Sequence, residues 1–295
     1  MPLDIMVPFW GDVAYLRQTV RSVLEQTNPS WRLTVVDDAY PDETTGGYLG
    51  SLNDPRITYL RNSVNTGITA AFRQCASLAE SDMVAIPGCD DLLLPNYVDV
   101  VLGAHDRFPG ADIIQPGVKV IDQHGREAHT LADTVKRRVV MPHAGRPRIL
   151  SGEPLAVSLL RGDWLYWPSL AFRRERLVGT PFRDGLPIIL DLALVIDMVC
   201  DGAQLLIEPT ECFAYRRHDE SLSSAKLIDG SRFEGERTYF DLAERLVGEL
   251  GWRRAARAAR HHITSRAHAL TLLPVAFARR DRAATLVLLR HAFRP

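Results

Sequence analysis

The stretch that decides the fold is Val84–Pro95, which reads Val-Ala-Ile-Pro-Gly-Cys-Asp-Asp-Leu-Leu-Leu-Pro. Its apolar run stops at two adjacent carboxylates, Asp90 and Asp91, and apolar residues then resume. Carboxylates beside buried strand residues are costly unless a cation or hydrogen bonds meet them. Two of them side by side indicate a divalent metal site. The alternative is a solvated turn before a helix, with Asp91 as N-cap and Pro95 in the first turn.

Short apolar runs alternate with amphipathic segments on both sides of this stretch. Asp12 is placed to cap the first of these helices. Such alternation is typical of an α/β fold, in which a mostly parallel sheet is covered by helices on both faces. The predicted strands are 3–8, 33–36, 57–60, 83–86 and 113–121, and the predicted helices are 12–26, 65–79 and 96–108.

Polar residues follow three of these strands at the point where each strand ends. Pro8 follows the first strand, Asp37 and Asp38 follow the second, and Asp90 and Asp91 follow the fourth. In open α/β sheets, ligands bind beyond the carboxyl ends of the strands. The convergence of three strand ends on one crevice argues against a plain turn at Asp90 and Asp91.

The second half of the chain is less regular. Residues 123–150 predict a loop, 152–161 and 190–200 predict helices, and 204–207 and 211–216 predict strands. Asp191 lies in the first turn of its helix, where the helix dipole favours a carboxylate. From about residue 231 onward the pattern is helical. We therefore predict a domain at 1–228 and a helical C-terminal extension at 229–295.

Composition and charge exclude several classes of protein. The 295 residues are 46% hydrophobic, and the formal net charge of −1 argues against nucleic-acid binding. The four cysteines are widely spaced, and the N-terminus shows no signal-peptide pattern, so we expect a cytoplasmic protein. The C-terminal region is rich in arginine. This predicts peripheral contact with the inner face of a membrane, a partner or a homodimer interface, or simply a solvated helical face.

Six short motifs follow one another along the chain: Ile5–Trp10, Val35–Asp38, Asn65–Ala71, Pro87–Asp91, Leu190–Asp191 and Tyr215–Ser223. This series, in this order, resembles the inverting family 2 glycosyltransferases of the GT-A fold. The resemblance spans about residues 3–225 and implies a Rossmann-like sheet that binds a nucleotide-sugar donor.

The resemblance implies which residues contact the nucleotide. Pro8 and Phe9 would form the floor of the pocket for the base. Asp37 or Asp38 would accept hydrogen bonds from the base or ribose. Asn65 has the alternative role of a plain helix cap. The implied nucleotide-binding residues are Pro8, Phe9, Asp37, Asp38, Asn65, Gly67, Arg73 and Asp90.

The resemblance also implies a metal site for Mn²⁺ or Mg²⁺ at Asp91 and His218. A divalent cation there would neutralise the charge on the departing diphosphate. Gly88 stands where the family often has a further acid, and this difference weakens the inference of a metal site. For His218 the alternative is an exposed loop histidine.

Asp191 resembles the general base that takes the proton from the acceptor hydroxyl. Leu190 stands where many relatives have a further acid, and Asp184 is the nearest competing carboxylate. The acceptor side would be formed by Trp164, Tyr166 and Trp167, for which core packing is the alternative.

The expected function is transfer of a sugar from a UDP-, dTDP- or GDP-sugar to a hydroxyl of a glycan, a lipid-linked glycan or a small molecule. One alternative is a non-catalytic nucleotide-sugar-binding or assembly protein, which Gly88 and Leu190 favour. A sugar nucleotidyltransferase would need a glycine-rich, basic phosphate loop after the first strand. Residues 8–12 are not such a loop.

Overall fold

The first four strands form the parallel half of one mixed sheet. The structure is a computed structural model and describes residues 1–128, 131–136, 140–142, 144–186, 189–217, 231–278 and 280–293. This half comprises β1 (Leu3–Phe9), α1 (Val13–Leu24), β2 (Trp31–Asp37), α2 (Thr44–Ser51), β3 (Ile57–Arg61), α3 (Ile68–Leu78) and β4 (Met83–Ala85). The strands lie in the order β3-β2-β1-β4. The side chains of β1, β2 and β4 are largely buried because helices cover the sheet, whereas those of the edge strand β3 are half-buried or exposed.

The second half of the sheet contains antiparallel pairs. The order continues β4-β8-β6-β9-β5, with β8 antiparallel to both neighbours and β7 paired with β9. This half comprises β5 (Leu92–Leu93), α4 (Tyr97–Arg107), β6 (Ile113–Ile121), α5 (Leu131–Val135), β7 (Arg148–Ser151), α6 (Gly152–Arg161), β8 (Ala171–Arg173), α7 (Arg174–Gly179), α8 (Leu190–Cys200) and β9 (Gln204–Arg216). The predicted α/β sheet is confirmed.

One long strand replaces the two strands predicted at 204–207 and 211–216. β9 runs through both and stays parallel to β6, with register shifts on either side of Gly117. A Cβ at Gly117 would lie 2.6 Å from the backbone oxygen of Pro209, so only glycine lets the two strands approach there. The irregularity in the sequence is therefore a bulge, which redirects a strand without ending it.

The predicted helical C-terminus is confirmed, and its helices belong to two cores. They are α9 (Ser231–Glu249), α10 (Arg253–His261), α11 (Ile263–Ala278) and α12 (Arg282–Phe293). Tyr239 and Phe240 of α9 and Ala255 of α10 pack in the main core with α6 and α8. α11 and α12 form a separate small cluster around Phe233.

This packing groups α9 and α10 with the sheet. The boundary predicted at 228 and 229 falls within residues 218–230, outside the described residues. Within the described parts of the chain, no helix combines the length and apolarity needed to cross a bilayer.

The contribution of α9 to the main core can be tested with Tyr239→Ala. Tyr239 is fully buried, and its hydroxyl donates to the Leu192 oxygen at 3.4 Å. We expect the free energy of unfolding to fall by about 3–5 kcal/mol, as for other large-to-small core changes. Denaturant unfolding measures this.

Leu250→Ala is the matched control near the end of the same helix. Leu250 is 46% exposed, so its loss should change the free energy of unfolding by no more than about 0.5 kcal/mol. Equal effects of the two substitutions would show that α9 is not part of the main core.

Candidate active site

The carboxyl ends of β1 and β2 lie side by side. Phe9 pairs with Asp37 in the register, and the Asp38 amide donates to the Phe9 oxygen at 3.0 Å. Asp37 is fully buried and accepts from Arg61 and the Tyr59 hydroxyl, each at 2.7 Å, and from the Tyr40 amide at 2.8 Å. Its carboxylate therefore holds the turn that follows β2.

Asp38 holds the turn that leads into α3, whose N-cap residue is Gly67. Its carboxylate accepts from the Thr66 amide at 2.9 Å, the Thr66 hydroxyl at 2.7 Å and the Gly67 amide at 2.8 Å. Burial opposes the charge, but these bonds and one from Asn62 outweigh it, so the pKa of Asp38 is lowered. The alternative of a cap by Asn65 is wrong, since the Asn65 side chain instead donates to the Asp38 backbone oxygen at 3.2 Å.

Gly67 joins this turn to the helix in a conformation that favours glycine. Its φ is 84°, in the left-handed region, and no atom lies within 4 Å of the position a Cβ would take. The backbone at Gly67 is therefore not covered by side chains, and a ligand has room to approach it closely.

Two aromatic side chains that the sequence interpretation missed stand beside Phe9. The Tyr40 ring lies 5.1 Å from the Phe9 ring and 5.4 Å from the Trp10 ring. Phe9 is buried, whereas Trp10 is 51% exposed, and Pro8 is half-buried. The tryptophan directly after the first strand is the signal in the sequence that could have revealed these rings.

Asp90 and Asp91 converge over Gly88. A Cβ at position 88 would lie 2.6 Å from Asp90 Oδ1 and 2.8 Å from Asp91 Oδ2. Asp91 is buried, and burial followed by the neighbouring Asp90 charge raises its pKa well above the ordinary value. Two carboxylate oxygens thus face one small space, which glycine leaves open.

Arg216, at the end of β9, holds this pair in place and was also missed. Its amide donates to Asp91 Oδ1 at 2.8 Å and its Nε donates to the Asp90 backbone oxygen at 2.7 Å. Its Nη2 reaches Gln18 Oε1 at 2.8 Å, and the guanidinium lies 4.8 Å from the Tyr15 ring centre. Arg216 is 3% exposed, so its charge acts on the carboxylates with little screening.

The donor set at this point fits a hard divalent cation. Mg²⁺ is commonly held by one or two carboxylates together with substrate phosphates and water, and Asp90 and Asp91 supply two such carboxylates. Among the residues that the structure describes, no group of three His, Cys, Asp or Glu side chains forms a complete metal shell. The predicted ligand His218 lies outside the described residues.

Asp191 occupies a second electrostatic centre. It is half-buried in the first turn of α8, and its Oδ1 accepts from the Leu192 amide at 2.8 Å. Burial, followed by the charge of Asp163, raises the pKa of Asp191 to about 7, while Lys136 and Arg232 oppose the rise. A carboxylate with this pKa suits proton transfer near neutrality.

Asp163 and Lys136 were not expected from the sequence. Lys136 Nζ donates to the Leu165 oxygen at 2.5 Å, and the Leu165 amide donates to Asp163 Oδ1 at 3.0 Å. Asp163 is solvent-exposed, so water screens its effect on Asp191 more than it would in a sealed core. Residues 123–150 carry no periodicity that would have placed Lys136 here.

The competing acid Asp184 lies elsewhere. Its side chain is 83% exposed and pairs with Arg73 at 2.7 Å. Arg73 also donates to the Phe182 oxygen. The guanidinium predicted to meet the diphosphate is therefore held by the 182–184 segment.

The predicted acceptor aromatics divide into two groups. Trp164 is fully buried with its Nε1 on the Ser158 hydroxyl, and Trp167 packs against Phe72 and Phe172. Core packing thus holds for both indoles, and the acceptor role expected for them is not supported.

Tyr166 differs because it joins the two electrostatic centres. Its ring lies 5.5 Å from the Tyr215 ring and 4.2 Å from Lys136 Nζ. Burial, then the charge of Asp91, raises the pKa of Tyr215. Ring and cation–π contacts therefore link Tyr215, Tyr166 and Lys136, and electrostatic effects connect Tyr215 to Asp91 and Lys136 to Asp191.

The fold matches solved structures along its whole length. It aligns with residues 1–349 of TarS from S. aureus, a crystal structure in complex with UDP-GlcNAc, at a TM-score of 0.65 and 13% identity. The alignment covers 99% of this chain and 91% of that one, and a likeness at this identity shows the shared fold.

Sequence comparison identifies the family. The chain is 34% identical over 106 residues to the putative colanic acid biosynthesis glycosyl transferase WcaA of Escherichia coli, which is 36% of this chain and 38% of that protein. It is 26% identical over 129 residues to the putative glycosyltransferase EpsE of Bacillus subtilis, 43% of this chain and 46% of that protein. Each match thus spans less than half of the relative. Residues 4–165 match the model described as Glycosyl transferase family 2, and with a match over more than half of its length the chain belongs to that family.

Proposed function

We propose that this protein moves a sugar from a nucleoside-diphosphate sugar to an acceptor hydroxyl with inversion at the anomeric carbon. The observation that carries the proposal is the pairing of two different carboxylate centres. Asp90 and Asp91 face a shared space over Gly88, while Asp191 has a pKa of about 7. One centre suits a diphosphate with a cation, and the other suits a base.

The donor would lie across the carboxyl ends of β1 and β2. Pro8, Phe9, Trp10 and Tyr40 offer an aromatic and apolar surface for the base, and Gly67 leaves room for close approach. Asp37 and Asp38 already accept hydrogen bonds from the chain, so they would shape this pocket and offer remaining lone pairs to the base or ribose. The UDP-GlcNAc in the TarS structure supports testing UDP-sugars first, with dTDP- and GDP-sugars as alternatives.

Asp90 and Asp91, with His218, would hold Mn²⁺ or Mg²⁺. The cation would supply charge neutralisation for the diphosphate leaving group. Arg216 fixes the Asp91 carboxylate through its backbone amide, so the pair keeps its orientation whatever the donor sugar is.

Asp191 would take the proton of the attacking hydroxyl as the new glycosidic bond forms. The bond from the anomeric carbon to the diphosphate oxygen breaks on the opposite face, and its electron pair leaves with the nucleoside diphosphate. Base catalysis of this kind contributes about a hundredfold to ten-thousandfold to the rate. The acceptor would be a glycan, a lipid-linked glycan or a small molecule.

The second candidate is a non-catalytic nucleotide-sugar-binding protein. The observations that favour it are Gly88 and Leu190, which replace acids common in the family, and the internal hydrogen bonds of Asp37 and Asp38. Substitution at Asp191 separates the two functions.

We expect Asp191→Asn to lower turnover by about a hundredfold to ten-thousandfold without weakening donor binding. The amide keeps the shape of the side chain and cannot accept the proton. Nucleoside diphosphate release measures turnover, and a thermal shift with donor and Mn²⁺ measures binding. Asp201→Asn is the control at an exposed acid away from both centres. Full activity in Asp191→Asn would refute the base role, and no release from any donor by the wild type would favour the binding protein.

The pH dependence of activity tests whether Asp163 and Lys136 set the pKa of Asp191. Activity should fall below pH of about 7 as Asp191 becomes protonated. Because Asp163 raises the pKa of Asp191, Asp163→Asn should move this limb to lower pH, and Lys136→Met should move it higher. Profiles of kcat/KM measure both shifts, with the exposed Asp201→Asn as control. If the acidic limb of the kcat/KM profile stays at the same pH in both variants, the assignment of Asp191 as the base is contradicted.

The same pKa shift has a consequence for stability. The folded state binds the Asp191 proton more tightly than the unfolded chain does, whose pKa is near the ordinary value of 3.8. Ionisation of Asp191 therefore lowers stability as pH rises from 3.8 to about 7, and Asp191→Asn should remove this contribution.

Gly88→Ala tests the site of the two carboxylates. The new methyl group would occupy the space between Asp90 Oδ1 and Asp91 Oδ2, so both must move. We expect Mn²⁺-dependent binding of UDP, measured by calorimetry, to weaken at least about tenfold, the effect of losing about 1.4 kcal/mol. Gly103→Ala is the control, because no atom lies within 4 Å of its Cβ position. Equal binding in the two variants would place the cation elsewhere.

A further inference from the structure

The outer face of α11 is an exposed apolar stripe. It comprises positions 263, 267, 270, 274 and 277, which are spaced alternately four and three residues apart and so lie on one side of the helix. Ile263 is 61% exposed, Leu270 is 41% exposed and Phe277 is 60% exposed. Ala267 and Pro274 complete the stripe, which contains no charged residue.

This stripe is not the face that stabilises the fold. Ala269 and Ala276, on the opposite side of α11, pack against Phe233 together with Leu288 of α12. The helix is therefore apolar on both sides, whereas a helix at a water-exposed surface normally has a polar outer face. A contiguous exposed apolar surface of this kind marks a contact site.

The outer face of α12 adds positive charge to the same hairpin. Its exposed positions include Arg282, Leu286, Arg290 and Phe293, so arginines alternate with large apolar side chains. Residues 263–293, which form the hairpin, contain five arginines and one acid, Asp281. The Asp281 side chain accepts from the Ala284 amide at 3.0 Å, where it caps α12.

We propose that the outer face of the α11–α12 hairpin binds the surface of an anionic lipid bilayer. The apolar stripe would enter the boundary between headgroups and acyl chains, and the arginines would meet the lipid phosphates. Stable attachment at a bilayer needs two signals, and here an apolar insertion and a basic patch occur together.

Charge selects the lipid surface over a second copy of this chain. A twofold dimer through this face would place the same patch on both sides and bring arginines against arginines. Repulsion of this kind is relieved by an anionic surface. The proposal does not depend on the transfer chemistry, since vesicle binding needs neither donor nor acceptor.

Co-sedimentation of the full chain with vesicles tests the proposal. We expect binding to vesicles of phosphatidylcholine with phosphatidylglycerol, little binding to phosphatidylcholine alone, and release by salt. The double variant Phe277→Gln with Leu286→Gln should lose most of the binding. Replacing Arg282 and Arg290 by glutamine should weaken binding about fivefold for each arginine.

Matched controls separate this surface from general effects. Val178→Gln changes an apolar residue of similar exposure (49%) on α7, and Arg146→Gln changes an exposed arginine outside the hairpin. Both should bind vesicles as the wild type does. All variants should keep the wild-type melting temperature and donor-induced thermal shift, which shows that they fold.

Several results would overturn the proposal. The first is equal binding to the two kinds of vesicle, or a loss of vesicle binding in the control variants as large as that in the hairpin variants. The second is a dimer in solution that Phe277→Gln dissociates, without vesicle binding, which would assign the face to a second copy. The third is retention on immobilised polyglutamate without vesicle binding, which would assign it to an acidic protein.

Discussion

The buried carboxylate of Asp91 is the constraint on which the organisation of this protein depends. Burial and the adjacent Asp90 both disfavour its charge, and the Arg216 amide and guanidinium favour it. To meet Asp91, Arg216 must lie at the end of β9, and its guanidinium also bonds to Gln18 on α1. One arginine thus joins the last strand to the first helix across the sheet. The cost of burying Asp91 is only partly offset, which leaves this point of the fold suited to a cation.

The carboxylates of Asp38, Asp91 and Asp191 have contrasting environments. Asp38 receives hydrogen bonds from Asn62, Thr66 and Gly67, and its pKa is lowered. Asp91 and Asp191 receive fewer, and their pKa values are raised. Hydrogen-bond donors favour the charged form, and burial without them disfavours it. The first kind of carboxylate stabilises a turn or helix, and the second is available for chemistry.

This difference explains how much the sequence predicted. Apolar runs, amphipathic spacing and the cap by Asp12 are local, and they predicted the parallel half of the sheet and α1 correctly. The hydrogen bonds of Asp38 come from residues 28 and 29 positions later, and the raised pKa of Asp191 depends on Asp163, Lys136 and Arg232. Long-range placement of this kind leaves no periodic pattern. The indoles of Trp164 and Trp167 were assigned to the acceptor side because aromatic residues suit both a sugar and a core.

Arg232 also changes the interpretation of the C-terminal helices. It lies on α9, opposes the rise in the pKa of Asp191, and donates to Glu236 at 2.7 Å. Glu236 in turn contacts the Ser265 hydroxyl on α11, and Ser265 lies 2.6 Å from His291 of α12. A chain of polar contacts therefore connects the hairpin to the helix that affects the charge of Asp191. Because Tyr239 and Phe240 anchor that helix in the main core, α9 and α10 pack as part of the same body as the sheet, and α11 and α12 have a core of their own.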